Sequence, residues 1–284
     1  MWNLPMPDVS GVRHDLDSVF PDAPPPALVT AAEKDAIEEL YEAYRVALGR
    51  PSDALLGDAL SAELRQAVLN AYKEVQDKGK LAALRNALKL LATECPYCGF
   101  GQIQDLDHHL PKAIYKPFSI FPLNLVPCCT TCNRGKPRKP KENPGMHMLH
   151  AFLEDLSGYD FLVADVRLDP ATGSLTVDFQ IDQPAGMEAE LHARLLNHLD
   201  DYDLHERYPA QVNIYLGSLD AAFELAFESG GAEGLRSFLI RSSEKNAQRF
   251  GRNDWRTALL RGLSASDAFC SGGYAAALGH AVVA

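Results

Sequence analysis

The sequence predicts a mainly α-helical protein of the α+β class, in which helices surround one small cysteine-rich module and one additional β-hairpin. Apolar residues recur at helical spacing before residue 93 and again after residue 186. Five of the six cysteines lie between Cys95 and Cys132. Apolar and polar residues alternate from Leu175 to Ile181, which favours a β-strand. A helical scaffold is therefore expected around a compact central module.

Changes in composition divide the chain into four segments. Six prolines among the first 27 residues leave little room for a helix, so this part is expected to run extended. The pattern changes again where the cysteine-rich stretch begins and ends. The predicted segments are an extended arm at 1–27, an N-terminal helical bundle at 28–92, the cysteine-rich module at 93–145 and a mostly helical C-terminal region at 146–284, with the hairpin at about 161–181.

Individual helices are predicted from capping residues and apolar spacing. Thr30 and Glu33 have the spacing of a capping box, so a helix should begin there and end near residue 48. Two more amphipathic helices are expected in the bundle, followed by a short one after the module. These lie at about 64–75, 81–91 and 146–156, and the C-terminal helices at 188–200, 208–228, 232–248 and 254–263, the last with Asn253 as its N-cap.

The net charge of −11 is unevenly distributed along the chain. Between Cys95 and Lys141 there are seven basic and two acidic residues, a net +5, so the remainder carries −16. The acidic remainder argues against non-specific coating of nucleic acid, whereas the basic stretch favours one phosphate-facing surface. A solvated basic loop explains the pattern equally well. The absence of a run of about 18 apolar residues and of a signal-peptide pattern predicts a cytoplasmic protein without membrane contact.

Two Cys-x-x-Cys pairs predict a structural zinc site. Cys95 with Cys98 and Cys129 with Cys132 have the spacing at which a short turn presents two thiolates to one tetrahedral ion. Four sulfurs close the coordination sphere, so this zinc should hold structure rather than bind water. Reduced core cysteines are the alternative. Cys128 and Cys270 lie outside this spacing and are expected to be buried hydrophobic residues.

A second set of polar residues lies between and just after the cysteine pairs. It begins with Asp107-His108-His109-Leu110-Pro111, continues with Asn124, and ends with Asn133-Arg134-Gly135-Lys136 directly after the last cysteine of the pairs. Hydrolysis of a phosphodiester requires a general base for the water and a cation for the developing charge, and hard Mg2+ prefers oxygen ligands. The set offers side-chain oxygens and an imidazole of near-neutral pKa, which suit these tasks.

This set resembles the HNH endonuclease motif, also called the ββα-metal or His-Me finger. In that motif D-H-x-x-P lies on a first strand, N on a second strand, and C-x-x-C-N-x-x-K at the start of a helix. The resemblance covers about 45 of the 284 residues. It implies a small zinc-stapled ββα-metal module within the otherwise mainly α fold, and a catalytic Mg2+ or Mn2+ in addition to the structural Zn2+.

The resemblance also assigns roles to single residues. His108, three residues before Pro111, takes the position of the general base, while His109 competes for that role from the neighbouring position. Adjacent strand residues point to opposite faces, so only one of the two histidines should face the site. The predicted metal ligands are Asp107 and Asn133, the predicted orienting residue is Asn124, and the predicted nucleic-acid contacts are His109, Lys112, Arg134 and Lys136.

One departure from the motif concerns its helix. Pro137 and Pro140 follow Asn133 closely, and proline cannot continue a helix interior. The helix that carries Asn133 should therefore be very short.

The resemblance thus implies a metal-dependent HNH endonuclease that nicks DNA as a monomer or cuts both strands as two copies. The extended N-terminus, helices and cysteine-framed motif also resemble, loosely, the nuclease subunits of Septu-type bacterial phage-defence systems. That resemblance implies an ATPase partner that binds the acidic surface or the arm. The alternatives are a restriction or mobile-element nuclease, which shares the motif, and a noncatalytic zinc module that binds other proteins.

Overall fold

The computed structural model describes residues 3–22, 28–137, 140–169 and 171–279. The chain forms two compact units, Asn3–Asp155 and Leu156–Ala284. Within the described ranges the structure is mainly helical with two separate two-stranded antiparallel sheets, which confirms the predicted α+β class. None of the helices in these ranges is both long enough and apolar enough to cross a bilayer.

Three of the four N-terminal helices in the described part of the first unit follow the sequence prediction closely, and the first of the four was not predicted. Helix α2 begins at the capping box, in which the Thr30 side chain accepts from the Glu33 amide and the Glu33 carboxylate accepts from the Thr30 amide. Its apolar stripe, including Tyr41 and Tyr44, is buried. The four helices are α1 (Val12–Val19), α2 (Ala31–Val46), α3 (Ala62–Ala71) and α4 (Ala82–Leu90), and a 3-10 turn at Tyr72–Val75 extends α3.

Helix α1 corrects the prediction of an extended arm over residues 1–27. The six prolines lie on either side of residues 8–20, so this stretch is free to form a helix. Leu16 and Phe20 are buried, and the buried Lys34 ammonium of α2 contacts Asp17 of α1 at 2.7 Å. The helix is thereby packed into the first unit. Residues 1–2 and 23–27 of the predicted arm lie outside the described residues.

The central module consists of two short strands and a short helix. Strand β1 (Asp105–His108) pairs antiparallel with β2 (Leu125–Cys128), with Asp107 opposite Val126. Helix α5 (Thr130–Gly135) follows at once and has only six residues. Lys136 adopts φ −59° and ψ 137°, the extended conformation favoured before proline, so α5 ends as the position of Pro137 predicts.

The segment after the module differs from the prediction of a helix at 146–156. A 3-10 turn occupies Pro144–Met146, and the described residues 147–155 contain no α-helix. Backbone groups of this segment form hydrogen bonds other than those of a helix. The Ala151 carbonyl accepts from the Leu4 amide, and the Phe152 amide donates to the His150 ring. Because these partners belong to the first unit, the boundary between the units follows Asp155.

The second unit contains the predicted hairpin and helices. Strand β3 (Leu162–Leu168) pairs antiparallel with β4 (Leu175–Ile181). The helices are α6 (Ala189–Asp201), α7 (Leu204–Phe250), α8 (Trp255–Ala265) and α9 (Tyr274–Ala277). Non-helical backbone at Gly230 and Gly231 divides α7 into the two helices that were predicted, since Gly231 adopts φ +59°.

The N-cap of α8 is Asp254 and not Asn253. The Asp254 side chain accepts from the Arg256 amide. Asn253 instead accepts from the amides of Phe161 and Leu162 at the start of β3, with its oxygen 2.8 and 3.1 Å away. Sequence alone does not separate these roles, because both residue types are good caps.

Candidate functional site

Four cysteine side chains form a cluster that can hold a metal ion. The Sγ atoms of Cys95, Cys98, Cys129 and Cys132 all lie within 4.8 Å of one another, and all four residues are buried. Sulfurs at about 2.3 Å from a tetrahedral zinc lie about 3.8 Å apart, close to the 4.0 Å between Cys98 and Cys129. Number, spacing and donor type therefore fit a structural ion such as zinc.

Local backbone structure positions both cysteine pairs. The first pair lies on a turn in which the Gly99 amide donates to the Cys95 carbonyl at 2.8 Å, with Gly99 at φ +78°. Cys129 is the N-cap of α5, and its Sγ accepts from the Cys132 amide at 3.4 Å. Hydrogen bonds from the Cys132 and Cys95 thiols lower the pKa of the Cys129 thiol well below its ordinary value. The thiolate, the form that binds metal, is therefore favoured at Cys129.

Gly101 lies directly against the cluster, which yields a test of its packing. A Cβ at this position would lie 2.7 Å from Cys129 Sγ and 3.3 Å from Cys98 Sγ. Gly101→Ala is therefore expected to displace the sulfurs and to lower the free energy of unfolding by about 1–3 kcal/mol. Urea titration measures the free energy of unfolding, and metal analysis shows whether the cluster still binds its ion. Gly158→Ala, where a Cβ meets nothing within 4 Å, is the control, and equal stability of both variants would contradict the packing.

The two other cysteines lie outside this cluster. Cys128 and Cys270 are both buried, as predicted for small hydrophobic residues. Burial raises the pKa of the Cys128 thiol well above its ordinary value, so this side chain stays a neutral thiol.

Asp107, on β1, is held at one carboxylate oxygen. Its Oδ2 accepts from the Tyr97 hydroxyl at 2.9 Å and from the Lys136 ammonium at 2.7 Å. Lys136 Nζ also donates to the carbonyls of His108 at 2.5 Å and His109 at 2.8 Å. In this structure the Lys136 ammonium, predicted as a phosphate contact, is engaged by three protein oxygens.

His108 follows Asp107 and is fixed by a backbone carbonyl. Its Nε2 lies 3.0 Å from the Ser119 carbonyl, which only accepts, so Nε2 carries the proton and Nδ1 of the neutral ring is the base. Burial, with a smaller effect from the Lys112 charge, lowers the pKa of His108 to about 3. The imidazole is therefore neutral at neutral pH, and its pKa lies below the near-neutral value expected from the sequence. The Tyr72 ring contacts it edge-on, with ring centroids 4.4 Å apart.

Asn124 joins the two ends of the loop between the strands. It is fully buried, its Nδ2 donates to the carbonyls of Leu110 and Phe118 at 3.1 Å, and its Oδ1 accepts from the Leu110 amide at 2.7 Å. The Tyr44 hydroxyl of α2 also reaches Oδ1 at 3.1 Å. Asn124 thus holds the loop that supplies the Ser119 carbonyl to His108.

A buried hydrogen-bond chain supports Asn124 from the N-terminal bundle. The Phe152 amide donates to His150 Nδ1, so the neutral His150 ring donates from Nε2 to the Tyr44 oxygen at 3.0 Å, and Tyr44 donates to Asn124. The sequence pattern predicted only that Tyr44 lies on the apolar face of its helix, and it did not predict these hydrogen bonds. The chain connects α2 to the loop at 110–124.

Tyr44→Phe is expected to lower the free energy of unfolding by about 1–3 kcal/mol, because it deprives buried groups at His150 and Asn124 of a partner. Chemical denaturation of the full chain measures this. Tyr159→Phe is the control, since Tyr159 is less buried and donates to the Gly186 carbonyl. A Tyr44→Phe protein as stable as the control variant would contradict the predicted contribution.

Asn133 is placed on α5 beside β1. Its Nδ2 donates to Asp105 Oδ2 at 3.0 Å, which leaves the amide oxygen as the acceptor. Asn133 lines an open cleft of about 380 Å3 together with residues of β1, the following turn and α3's 3-10 extension. The lining residues are Tyr72, Leu106, Asp107, His108, Pro111, Lys112, Ala113, Asn133, Lys136 and Pro137.

The remaining predicted nucleic-acid contacts differ in their placement. Lys112 lines the cleft with its ammonium 3.8 Å from the centre of the Tyr72 ring, and Arg134 is exposed on α5. His109 is buried, with its ring 4.1 Å from that of His150, and it is not among the cleft-lining residues. The structure thus places His109 away from the cleft, beside His150.

Several residues of the site carry no sequence signal of their role. Tyr97 lies between the first two cysteines, Tyr72 belongs to the N-terminal bundle, and Ser119 contributes only a backbone carbonyl. Their roles depend on contacts between distant parts of the chain.

The fold and site define a mainly helical α+β protein in which a four-cysteine cluster, able to hold a metal ion, lies in the same module as the residues Asp107, His108 and Asn133 of an open cleft. The chain is similar to Protein ea31 of Escherichia phage lambda, with 27% identity over 174 residues. The matched part covers 60% of this chain and 57% of that protein, so it spans just over half of the relative's length. No protein-family model and no solved structure matches the chain.

Proposed function

We propose that this chain is a metal-dependent HNH endonuclease that hydrolyses phosphodiester bonds in DNA. The observation that carries the proposal is the shared cleft of Asp107, His108 and Asn133 on a β-β-α unit. These residues come from two different elements, and each has a side chain suited to one task of phosphodiester hydrolysis. A module that only binds zinc needs the cysteines but not this set.

The donors in the cleft fit a hard divalent cation such as Mg2+ or Mn2+. Asp107 uses Oδ2 for Tyr97 and Lys136, while its Oδ1 has no hydrogen-bond partner among the described residues. Asn133 uses Nδ2 for Asp105, so its amide oxygen remains available. A carboxylate and an amide oxygen are ligands that these ions prefer. When bound, the cation stabilises negative charge that develops on the phosphate and the leaving oxygen.

The chain's own residues supply the base and its orientation. His108 Nδ1 takes the proton of the attacking water, and donation from Nε2 to the Ser119 carbonyl keeps the ring in that tautomer. Asn124 keeps the Ser119 segment in place through its bonds to Leu110 and Phe118. Lys112, also in the cleft, places a positive charge near the phosphate. The four cysteines would hold Zn2+ with four sulfurs and leave no position for water, so this ion would be structural.

DNA is the proposed substrate because the basic stretch and the cleft belong to the same module. The net +5 between Cys95 and Lys141 contrasts with −16 elsewhere, so phosphate is attracted to this part of an otherwise acidic chain. Binding and cutting should weaken as salt rises, since phosphate contacts release counterions.

A plasmid assay tests the proposal directly. With Mg2+ or Mn2+ and low salt, the full-length protein is expected to convert supercoiled plasmid into nicked circles, and EDTA should stop the reaction. One cleft cuts one strand at a time, so linear product should appear later or at higher protein concentration. Asp107→Asn, which removes the metal-binding charge, is the inactive control. Failure to cut supercoiled, linear and single-stranded DNA with either metal would refute the proposal.

We also propose that the nuclease acts in a cytoplasmic anti-phage or mobile-element setting with an ATPase partner. The similarity to a protein of phage lambda supports a phage-related setting. Co-expression with the ATPase subunit of a Septu-type system is expected to yield a co-purifying complex. A partner that stays bound after deletion of residues 1–27 would argue against a role of that segment in binding.

A further inference from the structure

We infer that Lys136 limits how tightly the cleft binds a divalent cation, because its tethered positive charge competes for the Asp107 carboxylate. The inference rests on the proposed catalytic metal at Asp107. It assigns to Lys136 a function in metal affinity, in place of the phosphate contact predicted from sequence.

Lys136 is held as an ion inside the site. Its side chain is only 6% exposed, and Nζ lies 2.5–2.8 Å from Asp107 Oδ2 and from the carbonyls of His108 and His109. An ammonium has three N–H donors, so these three acceptors use all of them. Three protein oxygens thus converge on one positive charge. This arrangement differs from that of a solvated surface lysine, whose charge has little effect on its neighbours.

The short helix α5 places Lys136 there. Because the helix ends at Gly135, Lys136 leaves it in an extended conformation, next to the end of β1, where the carbonyls of His108 and His109 lie. The Lys136 amide still donates to the Cys132 carbonyl, and a longer helix would also keep the backbone dihedral angles of residue 136 helical. The proline at position 137 therefore supports this contact.

Lys136 and a divalent cation act on the same carboxylate. Asp107 Oδ2 accepts hydrogen bonds from Lys136 and Tyr97. Oδ1 has no hydrogen-bond partner among the residues that the structure describes. Like charges on one buried carboxylate repel each other, and a low local dielectric strengthens the repulsion. The charge of Lys136 opposes the incoming cation whether the ammonium is displaced or stays. Metal affinity is therefore lower than the oxygen ligands alone would give.

The role of charge can be separated from the role of anchoring. When Lys136 is replaced, Tyr97 still donates to Oδ2 at 2.9 Å, so the carboxylate keeps one anchor. Lys136→Met removes the charge and keeps an apolar side chain, Lys136→Gln removes the charge but retains an N–H donor, and Lys136→Arg keeps the charge. A loss of anchoring would weaken metal binding, whereas a loss of repulsion strengthens it.

Mn2+ binding to the zinc-loaded full chain, measured by titration calorimetry and by electron paramagnetic resonance without DNA, tests the inference. Lys136→Met and Lys136→Gln are expected to bind Mn2+ at least tenfold more tightly than the parent, and Lys136→Arg about equally. Lys78→Met, an exposed site with the same change in net charge, is the control and should not change the affinity. Zinc content and circular dichroism confirm that each variant is folded.

Equal or weaker Mn2+ binding in folded Lys136→Met and Lys136→Gln would overturn the inference and leave the proposed nuclease intact. Absence of any Mn2+ site that Asp107→Asn removes would overturn both. In the cleavage assay, tighter binding should appear as half-maximal activity at a lower Mg2+ concentration.

Discussion

Replacement of His108 by alanine is expected to lower the rate of Mg2+-dependent plasmid cleavage by about 10²–10⁴-fold, the range typical for loss of a general base. The expectation rests on the tautomer that the Ser119 carbonyl imposes and on the position of the ring in the cleft beside Asp107. Single-turnover kinetics with excess protein measure the chemical step. DNA affinity and zinc content should remain close to those of the parent.

Two comparisons make this result specific. His14→Ala removes an exposed histidine of the same unit and should leave the rate unchanged. A base that has been removed can be replaced in part by a small one, so added imidazole should restore some activity to a His108→Gly protein. Cleavage by His108→Ala at the parental rate would show that another group takes the proton, and rescue would not then be expected.

Replacement of Cys129 by alanine is expected to release the metal from the cysteine cluster and to abolish cooperative unfolding of the first unit. Zinc sites of this kind contribute an apparent binding free energy of about 10–16 kcal/mol in zinc-finger peptides at pH 7. The four sulfurs connect the turn before β1 to the start of α5, so loss of the ion separates the elements that carry Asp107 and Asn133. Chelation of the parent protein should have the same effect.

Cys128 provides a matched control one residue away. It is equally buried but lies outside the cluster, so Cys128→Ala makes the same chemical change without removing a ligand. This variant should keep its metal and lose only about 1–2 kcal/mol of stability through packing. Metal analysis and thermal unfolding compare the two proteins. A metal-bound, stable Cys129→Ala protein, or equal metal loss in both variants, would contradict the assignment.

Local patterns predicted most of the secondary structure. The capping box at Thr30 begins α2, the two glycines at 230 and 231 divide α7, and the proline at 137 ends α5. These signals depend on backbone hydrogen bonds and steric limits within a few residues, which is why sequence reveals them. The extended arm was wrong because the count of prolines hid the proline-free stretch that forms α1.

For the candidate site, sequence spacing predicted the four-cysteine cluster that the structure shows, and the order of a known motif selected the polar set of Asp107, His108, Asn124 and Asn133. Metal-ligand spacing and motif order are properties of the chain itself. Only the tertiary structure placed Lys136 on Asp107 and His109 against His150. A lysine or histidine of unchanged local sequence can face solvent or be buried, and the choice depends on which distant oxygen or ring packs against it.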